Sequence, residues 1–234
     1  MRRFAGFLAG VALLPFCAAM GMTFFSMLRM LQHGPLSAIP PAVWGLLGGF
    51  SIWVLVYALL PRPVWSYVLA HELTHALWGM LMGARVKRMK VSQAGGSVTL
   101  SKTNFLIALA PYIFPFYAML VALLYLVLGW FYPVRAYEWL WFGAIGLTWG
   151  FHLTFTVSTL MEKQSDIQMY GAFVSYVFIL LVNVTGLCLL VAAVSSVRFF
   201  DMAGFLVTHT TTAYRVAGHG GVAFFRWIYD AFAK

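Results

Sequence analysis

Six long apolar runs, separated by short polar or proline-containing loops, give the chain its pattern. A helix needs about 20 consecutive apolar residues to cross the hydrocarbon core of a bilayer. Each run approaches or exceeds that length, so the pattern predicts six transmembrane helices, the fourth capped by Thr103 or Asn104. They extend approximately over Phe4–Leu28, Ala42–Leu60, Val64–Gly83, Asn104–Gly129, Glu138–Leu160 and Ile167–Val197.

The segment after the third run breaks this pattern. From Val86 to Thr103 it reads VKRMKVSQAGGSVTLSKT, which is polar and rich in β-branched residues. Gly95 and Gly96 divide it into two strand-like halves, which predicts a β-hairpin with a glycine turn. The alternative is an ordinary basic loop. A hairpin would also offer a free strand edge, to which an extended peptide can add.

The tail after Arg198 changes character again. Gly218, Gly220 and Gly221 are expected to interrupt any helix there. Val222–Lys234 then carries apolar residues on one side and charged ones on the other, which predicts a short amphipathic helix lying in the membrane interface.

Composition supports the same class of protein. The chain is 62% hydrophobic and 9% charged, whereas a soluble domain carries about 25% charged residues. We therefore predict an all-α polytopic membrane protein with one small hairpin. The net charge of +9 lies in short loops, where Lys and Arg meet anionic lipid, so the expected partner is the bilayer and not nucleic acid. Cys17 and Cys188 fall in apolar runs and are expected to be core residues.

These elements suggest three regions: N-terminal membrane helices over 1–63, a membrane core over 64–197 and the amphipathic tail over 198–234. Five basic residues of the hairpin segment favour a cytoplasmic hairpin, although Arg2 and Arg3 argue for the opposite orientation. These five basic residues are Arg85, Lys87, Arg88, Lys90 and Lys102.

The protein is expected to be a multi-pass protein of a bacterial inner membrane.

The third run contains an H-E-x-x-H motif, formed by His71, Glu72 and His75. Positions i and i+4 share one face of a helix, so the two imidazoles can bind one metal ion. Glu72 is one of only three glutamates in the chain, and a carboxylate beside the metal can accept a proton from water. A charged side chain at membrane depth costs at least about 2.5 kcal/mol, so this position indicates a functional site.

A catalytic zinc usually takes three protein ligands and keeps a fourth position open. Asp166 is the leading candidate for the third ligand, because two spans separate it from the motif helix and bring both ends to one side of the membrane. Glu162 and His152 remain alternatives, and His152 can also serve as an outer-shell or substrate-facing residue. Asn183 lies about 25 Å further along a continuous sixth helix, too far to share the metal.

The depth of the site is a difficulty for Asp166. If the third helix ended at Gly83, His75 would lie about 12 Å inside the helix end. Either that helix ends nearer Gly79, or the turn from Glu162 to Asp166 is sunk into the protein.

These residues resemble the site-2 protease family of intramembrane zinc metalloproteases over roughly Ala70–Gly171. His71, Glu72 and His75 match the family's H-E-x-x-H motif, which is followed there by a glycine-bearing hairpin and a Gly-Pro element. Gly95-Gly96 and Ala110-Pro111 stand at the corresponding places. The resemblance implies a zinc site that an aspartate at the start of a later helix completes, here Asp166.

The chain departs from the family at that last element. The usual N-x-x-P-x-x-x-L-D-G is represented only by its aspartate, so the chain is a divergent relative. The other family positions are occupied by Ser158, Met161, Ser165 and Ile167.

The expected activity is cleavage of transmembrane segments of other proteins, with water as nucleophile, zinc as cofactor and Glu72 as general base. Two alternatives remain open. One is a zinc-dependent hydrolase of lipids or small amides. The other is a membrane transporter or assembly protein without enzymatic activity.

Overall fold

The computed structural model describes residues 2–32 and 39–232 and is mostly helical, with one small antiparallel sheet. Nine helices and two strands are formed by these residues. Their bounds are α1 Arg2–Gln32, α2 Pro41–Leu59, α3 Val64–Leu81, β1 Val86–Ser92, β2 Gly95–Leu100, α4 Phe105–Ile113, α5 Phe116–Leu128, α6 Glu138–Leu160, α7 Ser165–Tyr170, α8 Ala172–Val194 and α9 Phe199–Phe232, with a 3₁₀ turn at Val134–Tyr137.

Within the described residues, four helices are long and apolar enough to cross a membrane, or five if α4 and α5 together form one span. This is compatible with an integral membrane protein, but the predicted number of six spans is not confirmed. Helix α3 is not among the candidates. Its length is sufficient, but the polar side chains of the motif lower its mean hydropathy. The four candidate spans are Phe4–Leu31, Pro41–Leu59, Val134–Leu160 and Ala172–Val194.

The expected fourth helix is broken into two. Asn104 caps α4 as predicted, since its side chain accepts a hydrogen bond from the Ile107 backbone N–H at 2.9 Å. Helices α4 and α5 then meet at a bend of 75° at Phe114 and Pro115. A proline has no N–H to continue the helical ladder, which explains the break.

The expected sixth helix, Ile167–Val197, is also wrong as a single element. Gly171 adopts φ 107°, a conformation that residues other than glycine rarely adopt, and it separates α7 from α8. Asp166 therefore lies in the first turn of a separate six-residue helix. Asp166 can therefore reach the depth of His75, because this short helix approaches α3 independently of α8.

Helix α3 leads directly into the hairpin. Gly83 follows the helix with φ 74°, and the Ala84 N–H donates to the Gly79 carbonyl at 2.8 Å. Such a left-handed glycine commonly ends a helix. The hairpin is confirmed, but its turn is formed by Gln93 and Ala94. The glycine turn was therefore wrong, and Gly95 and Gly96 begin β2 instead.

The chain forms two compact units, which we describe separately. Residues 39–172 contain α2 to α7 and the sheet. Helices α2 and α6 approach very closely here: a Cβ on Gly49 would overlap the Gly143 carbonyl, and one on Gly146 would overlap the Leu46 carbonyl. A glycine seam of this kind lets two helix backbones pack against each other. Trp53, Phe151 and Phe155 form an aromatic core beside the seam.

The second unit comprises the described residues within 1–38 and 173–234. Its core contains the free cysteines Cys17 and Cys188, both buried as expected. The Tyr214 hydroxyl donates to the Ala12 carbonyl at 2.8 Å, which joins α9 to α1.

The predicted interruption of the tail helix is wrong. Helix α9 continues through all three glycines to Phe232, and the last two residues of the predicted interfacial helix lie outside the described part of the chain. A helical glycine costs only about 1 kcal/mol relative to alanine, whereas the tail contains no proline that would forbid the helix.

Candidate metal centre

The motif helix presents its two histidines to the helix that carries Asp166. His75 and Glu72 are buried, and His71 is half-buried. The Nε2 atom of His75 lies 3.4 Å from Asp166 Oδ2, and the Nε2 atom of His71 lies 3.8 Å from the same oxygen. The structure therefore brings together the three residues that the sequence suggested as ligands.

These separations fit a bound metal ion. One ligand atom from each of His71, His75 and Asp166 lies within 4.8 Å of the other two. Two ligand atoms held about 2.0–2.1 Å from a tetrahedral zinc lie roughly 3.3 Å apart, close to the observed distances. This group could hold a metal ion, and its two imidazoles and one carboxylate are a donor set typical of zinc.

Hydrogen bonds orient both imidazoles. His75 Nδ1 lies 2.9 Å from the Ile107 carbonyl oxygen, which can only accept, so Nδ1 carries the proton and Nε2 keeps its lone pair. His71 Nδ1 lies 3.2 Å from the Tyr67 hydroxyl oxygen, and the Tyr67 hydroxyl accepts a hydrogen bond from Thr159 at 2.7 Å. The Nε2 atoms of both histidines face Asp166, while their Nδ1 atoms contact groups outside the candidate ligands, as is usual for metal-binding histidines.

The Asp166 carboxylate directs one oxygen at both histidines. Oδ2 is the oxygen that faces the two Nε2 atoms. A carboxylate binds a metal ion through such an oxygen in its deprotonated form. Oδ2 also lies 3.5 Å from the Tyr112 hydroxyl. The same oxygen therefore faces all three neighbouring groups.

Glu72 lies against the hairpin. A Cβ on Gly96 would be 2.6 Å from Glu72 Cγ, 2.8 Å from its Oε1 and 2.7 Å from Val68 Cγ1. Such distances are too short for any side chain, so glycine is required for this approach. The hairpin therefore packs against the motif helix at Glu72.

Two cavities meet at this contact. One, of about 630 Å³, is bounded by the three candidate ligands, Glu72 and the β2 segment. The other, of about 410 Å³, is bounded by His71, Glu72 and Gly96, and it extends to Arg62 and Glu162. Strand β2 therefore runs along both cavities, with the motif between them.

The alternative third ligands lie elsewhere. Glu162 is exposed on the wall of the 410 Å³ cavity, and His152 is buried beside a water-sized cavity of about 20 Å³ behind His71. Neither belongs to the metal-binding group found among the described residues. Asn183 lies in the other unit, where its amide donates to the Ile179 carbonyl of its own helix at 2.8 Å.

The residues around the ligands were not predicted from the sequence. Tyr67 lies four positions before His71, so helical periodicity alone could have placed it on the same face. Tyr112, Thr159 and the Ile107 carbonyl carry no such signal. Their contacts depend on how α4 and α6 pack against α3.

No family model, curated protein or solved structure matches this chain.

Proposed function

We propose that the protein is a zinc-dependent protease that cleaves transmembrane segments of other proteins. The observation that carries the proposal is the convergence of His71, His75 and Asp166 beside a buried Glu72. An H-E-x-x-H helix with a carboxylate as third ligand and a glutamate one residue from the first histidine is the arrangement that zinc peptidases use.

Zinc bound by this group would act as a Lewis acid and lower the pKa of water at the metal toward about 7. Glu72 follows His71 directly and lines the same 630 Å³ cavity as the three candidate ligands. Its carboxylate accepts the proton of the attacking water and later delivers it to the leaving amine. Tyr67 and the Ile107 carbonyl keep the two imidazoles oriented while this happens.

The hairpin supports a peptide as the substrate. Strand β2 pairs only with β1 among the described residues, so no strand occupies its other edge. Residues Gly96–Leu100 of this strand bound the 630 Å³ cavity. An extended peptide added to that edge would have its backbone beside Glu72 and the ligands. A transmembrane substrate must unwind locally to bind in this way, because helical peptide bonds are shielded by their own side chains.

We further propose that α3 lies within the membrane. It follows the candidate span α2 after a short loop with two prolines and is rich in apolar residues between the motif positions. The polar residues of the motif would then face the protein interior, as intramembrane ionisable residues almost always do. The protein would be a multi-pass membrane protease with its site within the bilayer.

Purified protein loaded with zinc tests the activity. It should cleave a peptide that contains a transmembrane segment and leave membrane lipids intact, as mass spectrometry of both would show. Hydrolysis of lipid without peptide cleavage would identify a different zinc hydrolase. Absence of both reactions, together with absence of bound zinc, would point to a non-enzymatic role.

Gly96→Ala should impair cleavage while sparing metal binding. The new Cβ would displace the Glu72 side chain, which is flexible enough to move, and a displacement of about 1 Å at a catalytic group can cost about 10²-fold in rate. Rate and zinc content of the purified variant are the readouts. Gly48→Ala is the control, because nothing lies within 4 Å of a Cβ there. Wild-type cleavage by Gly96→Ala would show that this contact does not position Glu72.

A further inference from the structure

Helix α4 contacts all three candidate metal ligands, although it contributes none itself. Its Ile107 carbonyl accepts from His75 Nδ1 at 2.9 Å. Its Tyr112 ring lies edge-on to the His71 ring, with centroids 5.3 Å apart. The Tyr112 hydroxyl lies 3.5 Å from Asp166 Oδ2. A nine-residue helix thus contacts each member of the group.

The surroundings of Asp166 make these contacts significant. Within its own helix, the Ser165 hydroxyl lies 3.5 Å from the other carboxylate oxygen, Oδ1. Asp166 also begins a six-residue helix that ends at the left-handed Gly171. The groups that face Oδ2 come from α3 and α4.

We infer that Tyr112 positions the Asp166 carboxylate for metal binding, and that α4 forms the outer shell of the metal site. The inference rests on the proposed function only in that it assumes a metal ion at this group. The Tyr112 hydroxyl donates to Oδ2, the oxygen that also faces both Nε2 atoms. A hydrogen bond from the outer shell fixes the orientation of a ligating carboxylate and strengthens metal binding.

Tyr112 is a positioning residue and not a catalytic one. It is fully buried and lines neither of the two cavities that meet at Glu72, so it does not contact a substrate. Its ring also confines the His71 imidazole from the side. Removing the hydroxyl while keeping the ring therefore separates positioning of Asp166 from packing against His71.

Zinc affinity of the full-length protein in detergent tests the inference. Tyr112→Phe should weaken zinc binding by about 10–100-fold, the usual effect of losing an outer-shell partner. It should also change the absorption spectrum of the cobalt-loaded protein, which reports ligand geometry. The matched control is Tyr117→Phe in α5, because that hydroxyl donates to the Ser66 carbonyl at 2.9 Å and touches no candidate ligand.

Two results together support the inference. Tyr112→Phe binds zinc at least about 10-fold more weakly and has an altered cobalt spectrum, whereas Tyr117→Phe keeps the wild-type affinity and spectrum. Equal affinities of the two variants would overturn it. An affinity loss with an unchanged cobalt spectrum would also overturn it, since that pattern indicates loosened packing and not a displaced ligand. The zinc-affinity experiment uses no substrate. A protein that binds zinc but cleaves nothing would therefore refute the proposed protease activity and leave this inference intact.

Discussion

Glu72→Gln should nearly abolish peptide cleavage while the protein keeps its zinc. The amide has almost the same shape as the carboxylate but cannot accept a proton from water. Positioned general bases contribute about 10²–10⁴-fold to rate, and we expect a loss of that order. Glu72 is not among the three residues that could hold the metal, so zinc content should remain at the wild-type level.

Glu162→Gln is the matched control for this experiment. Glu162 lines the same 410 Å³ cavity as Glu72 but is exposed and lies outside the metal-binding group. Its replacement should leave both cleavage and zinc content unchanged. Retained turnover in Glu72→Gln would refute the assignment of the base, and loss of zinc in that variant would show that Glu72 binds the metal.

Asp166→Ala should remove zinc from the purified protein. The variant would leave two histidines as the only protein ligands, one fewer than a catalytic zinc normally has. Loss of an outer-shell partner already costs about 10–100-fold in affinity, and loss of a direct ligand should cost more. Cleavage should be lost together with the metal, and excess zinc should restore part of it. Metal analysis after dialysis against a weak chelator gives the result.

Asp201→Ala provides the comparison for Asp166→Ala. Asp201 also lies in the first turn of a helix, where it pairs with exposed Arg198 at 3.3 Å, and it is not a member of the metal-binding group. The control should keep both zinc and activity. Full zinc content in Asp166→Ala would eliminate this residue as a ligand and would reopen the choice between Glu162 and His152.

The short-range signals of the sequence predicted the local structure well. The H-E-x-x-H spacing placed His71 and His75 on one helix face, and the apolar run over α6 gave its bounds correctly. Both depend on the periodicity of a helix, which is a property of neighbouring residues. The hairpin was equally visible from its composition, although its turn fell on Gln93 and Ala94.

The breaks between helices were harder to predict. Whether Pro115 bends a helix or is tolerated within it depends on which neighbours satisfy the freed backbone groups. Gly171 interrupts a helix because it adopts a positive φ, whereas Gly218 continues one. Composition cannot distinguish these two glycines, since tertiary packing decides the conformation of each.

The outer shell of the site was not predictable for a related reason. The carbonyl of Ile107 is a backbone group that every residue possesses, and only the packing of α4 against α3 brings it to His75. The suggestion of Asp166 depended on counting spans and on a resemblance. The proximity of Asp166 to the histidines also depends on the separate helix α7, which the apolar pattern did not predict.

X-ray absorption at the zinc edge of the purified, zinc-loaded protein tests the central claim most directly. We predict one zinc ion per chain, with two imidazole nitrogens and a carboxylate oxygen among its ligands. The carboxylate contribution should disappear in Asp166→Ala that has been reloaded with excess zinc. A protein that binds no zinc, or a zinc ion whose ligand signature is unchanged when His71, His75 or Asp166 is replaced, would contradict the account.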